Sequence, residues 1–428
     1  MLRCVCLAIT LASANAWTQS SGTHPSSSHD VVIKNATVMT ATHGNIKNGS
    51  IYIKDGKIAA VGENVNAPAS ATVIDAGGKY VTPGIIDSHS HIALDDDVNE
   101  ATSPVTPQMM MKDAFDYQDK AIYRALAGGV TTSLLLHGSA NMIGGQSVVI
   151  KHKFGAARND MLFPNAPGSI KFASGENPKR VYGNRDQLPS TRMGNFAVQR
   201  EALVQAQDYM REWDNYNQKV KRGDKDASAP KHDLKLEALA DVLRGKLIVQ
   251  IHCYRSDEML TEMAMAKEFG YKLRAFHHAL EAYKIAGQLA ANNVGIATFA
   301  DWWGYKQEAW DAIPWNAVMA MRKGVHVAIK SDSGDYDRRL NQEAAKTMRY
   351  GGASEEEALK MITLNAAWIV GVEDRVGSID VGKDADIVIW DGYPLSSYGV
   401  PEKVLIDGDV YFDRSQPGLG TTHYKEGE

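Results

Sequence analysis

The segment "GIIDSHSHI" (residues 84–92) ends an apolar run with two histidines two residues apart. Side chains on a strand repeat every two residues, so His89 and His91 point to one side. An H-x-H pair alone is common and often structural. Three more apolar runs end on the same kind of residue: "VQIHCY" brings His252, "AFHHAL" brings His278 and "IKSDSG" brings Asp332. Four imidazoles and a carboxylate converging on one place would repel or be badly desolvated without a cation, and borderline divalent metals favour these ligand types. A metal centre is the chemistry this set predicts.

A further run, "GSIKFASG", carries Lys171 among apolar residues. A buried ammonium is costly, so such a lysine is paired, deprotonated or modified. Reaction with carbon dioxide would turn it into a carbamate, an anionic oxygen ligand able to bridge two metals. Pairing with Glu176, five residues on, is the plain structural alternative. Around these positions stand residues placed to face a substrate: His137, Tyr254, Arg255, Trp302 and Trp303. Arg255 could clamp a carboxylate bidentately and the tryptophans could stack on a flat or hydrophobic group; each also reads as loop packing.

The elements that would hold these groups are short apolar runs separated by helical stretches between residues 83 and 382, the pattern of strand-helix units around a parallel sheet. Eight runs qualify: "GIIDSHSHI", "VTTSLLLHG", "QSVVIKHKF", "GSIKFASG", "KLIVQIHCY", "KLRAFHHAL", "VGIATFA" and "VHVAIKSDSG". Eight strands close a (β/α)8 barrel, whose sites lie at the C-terminal mouth, where the polar residues above fall. The charged stretch 200–246 reads as an elaborated helix and surface loop between the fourth and fifth strands. Residues 31–82 and 383–414 alternate apolar and polar positions about turns, so the two ends of the chain are expected to form one small β-sandwich domain.

Composition narrows the function. With 44% hydrophobic residues in 428, the chain can bury a large core, and a net charge of −5 offers no broad attraction to nucleic acid or anionic lipid. The expected partner is a small-molecule substrate, with neither nucleic acid nor membrane; a homo-oligomer is left open. Residues 1–16 have a charged start, an apolar segment and Ala14 and Ala16 in an A-x-A arrangement, which reads as a secretory signal cleaved near Ala16. Residues 17–30 would be a linker and 415–428 a tail. An exported protein, periplasmic or secreted, is predicted. Cleavage would remove Cys4 and Cys6 and leave Cys253 without an intrachain partner.

The segments "VIDAGGKYVTPGIIDSHSH", "ALAGGVTTSLLLHGSANMIGGQ", "ENPKRVYG", "SDSG", "EEEALKMITLNAAWIVGV" and "VGSIDVGKDADIVIWDG" together resemble the amidohydrolase superfamily, in particular its imidazolonepropionase-like and prolidase-like group. The resemblance spans almost the whole mature chain. It implies a barrel with a flanking β domain and a hydrolytic site with one or two divalent metals, two Zn2+ if Lys171 is carboxylated. By the same resemblance His89, His91 and Asp332 would hold the more buried ion, His252 and His278 the second, with Lys171, or alternatively Glu176, bridging and Asp332 shuttling protons. His278 is preferred to His277 because it directly precedes the loop "ALEAYK". The implied reaction is hydrolysis of an amide, peptide-like or cyclic amide C–N bond. A one-metal deaminase of the same superfamily and a non-catalytic scaffold are the alternatives.

Overall fold

The computed structural model describes residues 30–416. The expected signal peptide, nearly all of the linker and most of the tail lie outside the described residues. The strands are β1 (Val31–Met39), β2 (Asn45–Lys54), β3 (Lys57–Gly62), β4 (Thr72–Asp75), β5 (Tyr80–Pro83), β6 (Ile85–Ser90), β7 (Val130–Leu135), β8 (Ile143–Gln146), β9 (Val148–Lys151), β10 (Gly168–Ala173), β11 (Leu247–Cys253), β12 (Leu273–His278), β13 (Gly295–Thr298), β14 (Val327–Ile329), β15 (Ile387–Asp391), β16 (Val400–Ile406) and β17 (Asp409–Asp413).

Strands from both ends of the chain share one eight-stranded sheet, ordered β17-β16-β15-β5-β1-β2-β3, with β4 also paired to β1. Its core follows the period of two expected of a sheet with one packed face: Val31 and Ile33, Ile51 and Ile53, Ile387 and Ile389 are all buried. From β5 the chain passes through Gly84 directly into β6, the strand that carries the H-x-H pair.

The central strands form a six-stranded sheet, β14-β13-β12-β11-β10-β8, and a three-stranded sheet, β6-β7-β9. Neighbours from β10 to β14 are parallel, as are β6 and β7. The third expected run departs from this pattern. Within it the strand is β9, and β8 lies just before it across Ser147; β8 runs antiparallel to β10 and β9 to β7. Only residues 136–142 separate β7 from β8. β8 crosses to pair with β10 and β9 then returns beside β7, so the chain reverses direction here with no helix between the strands. At the other edge, β6 and β14 are stitched by Asp332 N–H to the His89 carbonyl at 2.9 Å and His91 N–H to the Ser333 carbonyl at 3.1 Å. Inside, Ile86, Leu134, Ala275, Ala297 and Ala328 meet the helix Leu364–Val370. Three alanines on neighbouring strands leave room for that helix to pack closely against them.

The charged part of the stretch between β10 and β11 forms the 30-residue helix Arg192–Lys221 followed by Leu234–Leu243, as the charged pattern predicted. Among the described residues no helix is long and apolar enough to cross a membrane. Cys253 is a free, buried thiol.

The terminal sheet is tied to the central strands by charge. Lys151, at the end of β9 and 0% exposed, donates to Asp384 at 2.9 Å, Asp386 at 3.1 Å and Asp407 at 2.5 Å. Burial works against the ammonium, but the three carboxylates outweigh it and hold the lysine protonated. Removing one partner of a buried ionic group leaves uncompensated charge and costs about 3–5 kcal/mol. Lys151→Met is therefore expected to lower stability by that amount in urea titrations; a loss below about 1 kcal/mol would show that this contact is no more than a surface ion pair.

Candidate metal centre

The side chains the sequence singles out converge where β6, β10, β11, β12 and β14 end. His89 Nε2 lies 3.1 Å and His91 Nε2 3.4 Å from Asp332 Oδ1. One ligand atom from each of these three residues falls within 4.8 Å of the others. This is the donor set and spacing of a divalent-ion site. Asp332 reaches it through a left-handed backbone, φ 58°, and His278 does the same at φ 70°. Such conformations are costly for residues with a Cβ and persist where surrounding structure imposes them.

Asp87 does the imposing on one side. Its buried carboxylate accepts from His89 N–H at 3.1 Å, from Ser331 N–H at 3.2 Å and from the Ser331 hydroxyl. Burial pushes this carboxyl up to about 6 against the pull of those hydrogen bonds. His91 is oriented by its Nδ1–H, which donates to the Leu136 carbonyl at 3.0 Å and leaves Nε2 as the lone-pair nitrogen facing Asp332.

His252 and His278 form a second group with ring centroids 4.3 Å apart. Both nitrogens of His252 and Nε2 of His278 are buried and lack a hydrogen-bond partner among the described residues. Orphaned imidazole nitrogens at 1% and 2% exposure are what a cation-binding pocket presents when only its protein atoms are counted. Burial, first of all, drives His89, His252 and His278 well below the usual histidine range, so each is neutral; the lone pair of His278 is on Nδ1, where it accepts from Lys330 Nζ at 2.9 Å while that lysine is charged.

Lys171 also reaches this centre. Its Nζ is 3.2 Å from His89 Nε2 and 3.5 Å from the His137 carbonyl. Burial brings it down to about 7, partly opposed by the Asp332 carboxylate. Glu176 does not share that position: it begins the helix Glu176–Gly183 and pairs with Lys306 at 3.3 Å.

Among the expected substrate-facing residues the structure divides. Tyr254 stacks on His278 at 4.7 Å and accepts from the Tyr305 hydroxyl at 2.8 Å, while Trp302 stacks on Phe299 at 4.2 Å. Trp303 is 55% exposed. His137 spends both ring nitrogens on backbone, donating to the Gly138 carbonyl and accepting from Glu100 N–H. Arg255 forms a fork with Asp257, both bonds 3.0 Å.

Lys330 escaped the sequence reading. It is fully buried, with Nζ 2.9 Å from His278 Nδ1, 3.3 Å from Asp332 Oδ2 and 3.9 Å from the Phe299 ring centroid. Burial would raise the Asp332 carboxyl, but the Lys330 charge and the His91 contact overcome this and keep it ionised. The signal was present in "IKSD": Lys330 and Asp332 alternate and so share a face.

A site of two histidines on one strand and an aspartate on another, at the ends of parallel strands with a sheet from both termini beside them, is that of a metal-dependent hydrolase class. The profile of the Amidohydrolase family matches residues 315–411. The crystal structure of an amidohydrolase from Thermotoga maritima MSB8 is similar with a TM-score of 0.82 and 39% identity, covering 90% of this chain and 100% of that one. Amidohydrolase tasK of Hapsidospora irregularis is 35% identical over 393 residues, 85% of this chain but 40% of that protein. The chain thus spans less than half the length of that relative. D-hydantoinase of Ralstonia pickettii is 26% identical over 463 residues, covering 90% of this chain and 95% of its own length. The chain belongs to the amidohydrolase superfamily.

The lowered Lys171 gives a pH prediction. An unfolded lysine titrates near about 10.4, so between about pH 7 and that value the unfolded chain holds a proton the folded chain has released, and stability rises with pH. In chelator-treated, carbon dioxide-free protein, Lys171→Met should raise the unfolding midpoint at pH 7, and the advantage should fade toward pH 10. A difference that stays constant or grows with pH would contradict a buried, uncompensated ammonium.

Proposed function

We propose that the chain is a metal-dependent hydrolase of a carbon–nitrogen bond in an amide, peptide-like or cyclic amide substrate. The observation that carries this is the clustering of His89 Nε2, His91 Nε2 and a carboxylate oxygen of Asp332 within 4.8 Å, inside a chain of this superfamily. In this reading the central strands, with β8 and β9 together standing for one, close into a (β/α)8-type barrel flanked by a small β-sandwich of the two chain ends, with the centre at its mouth.

His89, His91 and Asp332 would hold a divalent ion, for which zinc suits the imidazole-rich donors. His252 and His278 would hold a second, with Lys171, carboxylated, as the bridge. A lysine brought down to about 7 is uncharged in a large fraction of molecules at neutral pH and can act as the nucleophile such carboxylation needs, which supports Lys171 over Glu176. When bound, the metal supplies a nucleophilic hydroxide at neutral pH and polarises the scissile carbonyl. The protein contributes the proton path and the geometry. Asp332 stays ionised beside Lys330, so at neutral pH it can accept the proton of the attacking water and return it to the leaving nitrogen. Lys330 places a fixed positive charge 3.3 Å from Oδ2, orienting that oxygen. Tyr254, Tyr305 and Trp302 form an aromatic wall beside the centre that would exclude water and seat the substrate's flat or apolar part.

A one-ion deaminase is the second reading, because among the described residues only the three-residue cluster has its donor atoms drawn together. Metal content separates the two: two ions per active chain fit the bridged centre, one ion with ammonia release fits the deaminase. The zinc-loaded protein, supplied with bicarbonate, should cleave at least one class among dipeptides, N-acyl amino acids and cyclic amides. Asp332→Asn should lower kcat by about 100-fold or more while leaving most of the metal bound; a variant with parental turnover would remove Asp332 as the proton carrier.

A further inference from the structure

His277 is the neighbour of His278 and lies in the same strand, yet it does a different task. Its Nδ1 is 2.9 Å from Nδ1 of His89. Its Nε2 is 2.9 Å from Oε1 of Gln250, whose Nε2 donates to the Ile369 carbonyl at 2.9 Å. All three side chains are buried, His277 and Gln250 at 0% and His89 at 1% exposure.

This chain of hydrogen bonds has only one direction. The Ile369 carbonyl can only accept, so the NH2 end of the Gln250 amide must face it and the oxygen must face His277. That oxygen can also only accept, so His277 carries its proton on Nε2. Its Nδ1 is then a lone pair, and the bond to His89 requires His89 to carry its proton on Nδ1. The remaining nitrogen of His89, Nε2, is left unprotonated toward Asp332 and Lys171. A backbone carbonyl on the helix Leu364–Val370, outside the centre, thereby decides which nitrogen of His89 is free.

We propose that His277 and Gln250 are positioning residues that lock His89 in the tautomer able to bind a metal through Nε2. The metal-binding half of this inference rests on the function proposed above; the tautomer half does not. His91 gets the same outcome from one bond to the Leu136 carbonyl. Among the described residues Nδ1 of His89 bonds to His277 and not to a carbonyl, and the relay carries a carbonyl's directing effect across two buried side chains.

The test uses the full chain in three forms: parent, His277→Leu and His277→Gln. Glutamine can accept from His89 through its oxygen and donate to Gln250 through its nitrogen, whereas leucine can do neither. Zinc affinity is measured by competition with a chromophoric chelator, and the ring nitrogens of His89 are followed by 15N NMR in metal-free protein. Expected are an affinity about 10- to 100-fold weaker in His277→Leu and recovery to near the parent value in His277→Gln. In the metal-free parent and in His277→Gln, His89 should show a protonated Nδ1, and in His277→Leu a mixture of tautomers. Parental zinc affinity in His277→Leu, or no recovery in His277→Gln, overturns the role in metal binding. A protonated Nε2 in the metal-free parent overturns the relay itself. A parent with the expected Nδ1–H signal that binds no zinc would sink the proposed metal chemistry and leave the relay standing.

Discussion

The stitch between β6 and β14 is the constraint on which the centre depends. Two backbone bonds, Asp332 N–H to His89 and His91 N–H to Ser333, join strands that lie at opposite edges of the two central sheets. The Asp87 carboxylate reinforces the seam from below by binding the backbone of both His89 and Ser331. Because the ligand-bearing residues are themselves the stitched residues, main-chain geometry fixes the backbone spacing of His89, His91 and Asp332, and the bonds to Leu136 and His277 fix the two rings. Tolerances of a few tenths of an ångström, which metal coordination demands, come naturally from such an arrangement.

Charge is organised around this seam in two layers. Near it, Asp332 is flanked by Lys330 and Lys171, both pulled down by burial, to about 8 and about 7. Farther out, Lys151 gathers three aspartates of the C-terminal segment and ties the terminal sheet to β9. The first layer sets the protonation of a reactive site; the second is a structural clamp. Both place a lysine in the interior, and they differ in whether carboxylates surround it.

Much of the centre was legible because polar residues that end apolar runs have few reasons to be there. His89, His91, Lys171, His252, His278 and Asp332 all fall at or beside it. What escaped was a matter of backbone detail. Parity along a strand puts His277 and His278 on opposite faces, and only the left-handed turn at His278 lets both reach His89. The antiparallel run of β8 and β9 was hidden because an apolar strand does not reveal its direction. His137 and Arg255 show the limit at loop positions: residue type suggested substrate contact, but nearby backbone groups and Asp257 occupy the polar atoms of each.

The central claim is that β6 and β14 present a preformed ion site. Crystals of the zinc-loaded protein, with diffraction recorded at wavelengths on either side of the zinc absorption edge, would test it directly. The account predicts an anomalous peak bonded to His89 Nε2, His91 Nε2 and Asp332, with the His89 ring still bonded to His277. A peak that engages His277 in place of His89, or zinc bound only away from this seam, would contradict it.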